Sequence, residues 1–75
     1  MESDEMRRLQ RQALQSPFRI GMPGGDEFEV RHHDFMTVSD DHAAIALPEN
    51  SKQTLQLIKL VNISSIEMLP TTAHN

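Results

Sequence analysis

The stretch "FEVRHHDFMTVS", Phe28 to Ser39, decides how this chain folds, because its two halves cannot share one strand phase. Phe28 and Val30 alternate with Glu27, Glu29 and Arg31, the period of a half-buried strand. Continued at that parity, His32 and Asp34 would enter the core as costly unpaired polar groups. A bend or bulge at "HHD" avoids the cost and lets "FMTVS" resume on a new face, with Phe35 joining the core. A bent strand is therefore the first expectation.

Upstream, Phe18, Ile20 and Met22 alternate with Arg19 and Gly21, and "MPGGD" supplies the turn of a hairpin leading into Phe28. Before it, Asp4 to Gln15 reads as an amphipathic helix, with Ser3 as N-cap and Asp4 and Glu5 in the first turn. Met6, Leu9, Ala13 and Leu14 form its apolar face, and Pro17 ends it at Ser16. Asp4 and Glu5 are spaced to pair with Arg8.

Downstream, "SDDH" turns the chain into a short Ala-rich strand, "HAAIAL", stopped by Pro48 and the "PENSK" turn. A longer strand, Thr54 to Val61, places Leu55 and Leu57 on one parity and Ile58 and Leu60 on the other, a face switch that implies curvature. A last short strand runs through Ile66 and Met68, after a single 3₁₀ turn. The expected organisation is an N-terminal helix at 1–16, a small β-barrel at 17–70 and a frayed tail at 71–75. The fold class is mainly β with an N-terminal α-helix, the barrel being five-stranded, bent and antiparallel.

Composition narrows the function classes. A 75-residue chain buries only about 60% of its unfolded surface, so its core is marginal and wants a staple. The chain has no cysteine, which excludes disulfides and thiolate zinc sites and leaves self-association or a His/Asp-bound metal. Its net charge of −4 argues against a generic DNA or RNA binder, although Arg7, Arg8, Arg11, Arg19 and Arg31 crowd the first half. No apolar run approaches the roughly 20 residues of a membrane span, and "MESDEMRR" is acidic where a signal peptide is basic. A cytoplasmic protein is expected.

"PFRI", the glycine turn, "FEVRHHDFMTVS" and the closing "ISSIEM" resemble a family of short uncharacterised bacterial proteins sharing a Pro-Phe opening, a Gly turn and a Val-x-His stretch. That resemblance covers roughly Ser16 to Leu69 and implies no activity. In layout the chain also resembles the Sm-like RNA-binding proteins, the Sm variety of SH3-type barrel, which includes the bacterial RNA chaperone. Phe18, Ile20, Met22, Gly25 and Phe28 fall where that pattern has its first strand, turn and second strand. "IKLVNISSI" is similar to its lysine-containing stretch, which makes Lys59 the matching basic residue. The resemblance implies rings assembled by strand-edge pairing.

Side-chain chemistry defines the candidate sites. Neighbouring strand residues face opposite ways, so His32 and His33 chelate one ion only if the backbone turns sharply, whereas His32 with Asp34, joined by His42, has workable spacing. The competing reading is a polar bend. Ser39, Asp40, Asp41 and His42 set hydroxyl, carboxylate and imidazole side by side, but triads are assembled from distant positions, so no enzyme is expected. "GMPGGDE" lacks the Gly-Lys-Ser/Thr ending of a phosphate loop, and no cofactor is expected. Arg7, Arg8, Arg11 and Lys59 are the RNA-binding candidates; the phenylalanines fit core positions rather than base stacking. Three readings stand in order: a self-assembling structural or interaction module paired through the edge of "HAAIAL" and the Met6, Leu9, Leu14 helix face; an RNA binder; a His/Asp metal-binding module.

Overall fold

A computed structural model describes residues 1–49 and 52–70, with backbone alone at 48, 49, 52 and 53. The expected tail at 71–75 and part of the "PENSK" turn lie outside these residues. Helix α1 spans Ser3–Arg11, with Glu2 rather than Ser3 as its cap; Glu5 Oε1 accepts the Glu2 backbone N–H at 3.3 Å. It ends short of Gln15 because the chain tightens: Gln12 N–H donates to Leu9 O and Ala13 N–H to Gln10 O, each at 3.2 Å. That tightening turns Ala13 into the core and Leu14 out to solvent, so the apolar face is Met6, Leu9 and Ala13 without Leu14.

Strands β1 (Phe18–Gly21) and β2 (Glu27–Val30) form the expected hairpin, in the register Phe18 opposite Val30. Gly25 closes the turn at φ 94°, a region that disfavours any side chain. A 3₁₀ helix, His33–Phe35, then separates β2 from β3 (Met36–Val38). Strand β4 (His42–Glu49) pairs with β5 (Lys52–Lys59) over eight residue pairs. A second 3₁₀ helix, Leu60–Asn62, leads to β6 (Ser65–Met68), which returns to pair with β1.

The strands order as β2-β1-β6 and β3-β4-β5, two antiparallel three-stranded sheets. The expected five-stranded bent antiparallel barrel is thus not what the strands form: among the described residues there are two sheets of three strands each and no closed barrel. The 3₁₀ helix at His33–Phe35 interrupts what reads as a single second strand, handing β2 to one sheet and β3 to the other. One core nevertheless joins them, with Phe18, Ile20 and Val30 from the first sheet meeting Met36, Ala43, Ile45 and Ile58 from the second. Met6 of α1 seals it, and each such large buried side chain stabilises the fold by about 1.5–3 kcal/mol.

Three further expectations change. Pro48 does not stop β4, because β3 reaches only Ile45 and the strand has a neighbour on one side alone there. "HAAIAL" is flanked on both sides at Ala43 to Ile45 rather than standing as an edge there; the outer strands of its sheet are β3 and β5. Leu55 and Leu57 do not curve back to the core: Ile58 holds the inner parity and both leucines face outward. No helix among the described residues is long and apolar enough to cross a membrane.

Candidate functional site

The bend at "HHD" is a built turn. His32 is extended (φ −157°, ψ 144°), and His33 enters the 3₁₀ helix directly after it. This reversal defeats the strand rule that sends neighbouring side chains apart. The two imidazoles instead stack, with centroids 4.4 Å apart and planes 29° from parallel. Asp34 closes the group: its backbone N–H donates to His32 Nδ1 at 3.1 Å, and its Oδ1 accepts from His33 Nδ1 at 3.0 Å. One ligand atom from each of His32, His33 and Asp34 lies within 4.8 Å of the others.

Helix α1 fixes this turn from outside. Gln10 Nε2 donates to His33 O at 3.0 Å and also to Met36 O, gripping both ends of the 3₁₀ segment. Phase arithmetic locates the bend but misassigns the next core residue: Met36, not Phe35, enters the core. The 3₁₀ turn spends Phe35 before β3 begins, leaving its ring 38% exposed. Phe35 instead borders a groove of about 510 Å³ shared with Phe28, Ala46 and Leu47, with Glu29 and Arg31 at its polar rim.

His42 does not belong to this cluster. It opens β4, opposite Lys59, and its Nδ1 donates to Asp41 Oδ1 at 2.7 Å. That hydrogen bond, with the adjacent imidazole charge, holds the Asp41 carboxyl below its ordinary range. The Ser39 hydroxyl donates to the His42 carbonyl at 3.3 Å rather than to the ring, so "SDDH" is a self-bonded turn.

Of the RNA-binding candidates, Arg7, Arg8 and Arg11 lie on α1 and Lys59 on β5. Arg7 Nη2 donates to Val38 O at 3.2 Å, pinning the helix to β3, and its other nitrogen sits 3.8 Å from Asp4. Asp4 thus pairs with Arg7, not Arg8, because Arg7 is anchored on the side of α1 that Asp4 shares. Arg8 and Arg11 are exposed on the helix, while Lys59 ends β5.

The feature that sequence reading passes over is the outer face of the β4–β5 hairpin. Leu57 lies opposite Ala44 and Leu55 opposite Ala46, all on the parity that faces away from the core. Leu57 is 64% exposed and Leu55 73%, while polar Gln56 and Thr54 take the inner parity. The signal is present in the chain: leucines paired with alanines at one parity, with a glutamine between them. No protein-family model, characterised protein or solved structure matches this chain.

Proposed function

We propose that this protein is a non-enzymatic, self-assembling interaction module of Sm-like layout. The observation that carries the reading is the apolar outer face of β4 and β5, with Leu55 and Leu57 standing in solvent on an edge strand. An edge strand left open is a template for pairing, and soluble chains normally blunt such edges with charge. Here the outward side chains at its centre are leucines, so a second copy laid along β5 satisfies backbone groups and removes apolar surface together. Of the helix face, Met6 is buried in its own chain and Leu9 packs beside it, which leaves the β5 leucines as the larger exposed apolar surface. If β2 and β3 are taken as halves of one bent strand, the connectivity is helix, five strands and a 3₁₀ turn before the last, which supports the Sm-like layout and its edge-paired rings.

Native mass spectrometry and light scattering over a range of concentrations test this reading. The wild-type chain is expected as a multimer that persists in high salt, and the double variant Leu55→Glu, Leu57→Glu as a folded monomer. A wild-type monomer at the highest soluble concentration overturns the proposal. Extra mass that RNase removes replaces it with RNA binding through Arg8, Arg11 and Lys59.

A further inference from the structure

We infer that the His32, His33, Asp34 turn is a divalent transition-metal site, filled by zinc, nickel or copper ions through two imidazole nitrogens and one carboxylate oxygen. The donor set carries the choice of ion: two imidazoles suit these metals, and zinc also takes an aspartate oxygen as a ligand. Three protein ligands meet within 4.8 Å, which leaves a tetrahedral ion one position for water. The required rearrangement is local. The ion takes His32 Nδ1 in place of the Asp34 N–H now 3.1 Å away, and the Asp34 carboxylate turns from His33 Nδ1 toward the metal.

Two further observations favour the site. Gln10 grips the carbonyls at both ends of the turn, so the ligands stand on a braced backbone rather than a free loop. Arg31, the nearest cation in sequence, is drawn aside by Glu29 at 3.2 Å. The site is separate from the Leu55 and Leu57 face, and neither proposal depends on the other.

Isothermal titration of the chelator-treated protein with Zn²⁺, and then Ni²⁺, provides the test. One equivalent is expected per chain. His33→Ala, His32→Ala and Asp34→Ala should each weaken binding by about 10-fold or more, whereas His42→Ala should leave it unchanged. All four positions lie at the surface, and circular dichroism verifies that the variants remain folded. In amide NMR spectra, Zn²⁺ should shift the Asp34 N–H more than that of Leu57. The inference is overturned if the wild-type chain shows no saturable binding, or if His42→Ala loses as much affinity as His33→Ala.

Discussion

The two sheets use the same alternation and finish it differently. In β2-β1-β6 the outer parity is charged: Arg19 stands between its cross-strand partners Glu29 and Glu67, bonded at 3.0 and 2.9 Å. In β3-β4-β5 the same parity carries Ala44, Ala46, Leu55 and Leu57. Cross-strand charge pairs let the first sheet rest against water, whereas leucine over alanine gives the second no such solution. One chain thus holds a sheet with a charged outer parity and a sheet whose outer parity carries exposed leucines.

The sharpest way to break this contrast is from inside, where the sheets should behave alike. Phe18 and Ile45 are both fully buried, one in each sheet. Phe18→Ala should cost about 3–5 kcal/mol and Ile45→Ala about 2–5, each in a single cooperative denaturant transition. Separate transitions for the two sheets would show that the shared core does not couple them.

A smaller effect belongs to the seam of the first sheet. A Cβ on Gly21 would fall 2.5 Å from Ser65 Oγ, so Gly21→Ala should destabilise by about 1 kcal/mol. Adding Ser65→Ala should restore most of the loss, because the obstacle is one hydroxyl rather than backbone.

The smallest effect is expected from the charged ladder itself. Arg19→Met should move the melting temperature little, since exposed ion pairs contribute weakly. Its signature is in pH. The hydrogen bond from Arg19 holds the Glu29 carboxyl below its ordinary value of 4.5. A carboxyl depressed in the folded state adds stability that is present above its unfolded value and lost as pH falls through the folded one. Carbon-detected NMR titration should show Glu29 returning toward 4.5 in Arg19→Met, with a flatter acid limb of stability. An unmoved Glu29 would mean that the ladder is not what finishes the first sheet.

Legibility in the sequence tracks how local each decision is. The β1–β2 hairpin is readable because Phe18 to Val30 settles its own phase through alternation and a two-glycine turn. The existence of the bend is readable, but not its length, and the length decides whether Phe35 or Met36 faces inward. His32 and Asp34 read as a pair from their spacing, yet strand geometry argues against His33, and the 3₁₀ turn suspends that geometry. Apolar residues at both parities of β5, Leu55 and Leu57 against Ile58, leave its inner face undecided until Ile58 is fixed opposite Ala43. The helix terminus at Arg11 depends on a tightening that no nearby proline or glycine announces.

The return of β6 to β1 also has a kinetic meaning. Arg19 and Glu67 are 48 positions apart, whereas β4 and β5 are adjacent in the chain, their pairing reaching Glu49 opposite Lys52. Closing a long span is slower than zipping a neighbouring hairpin, so the leucine-bearing sheet forms while the charged sheet still awaits its third strand.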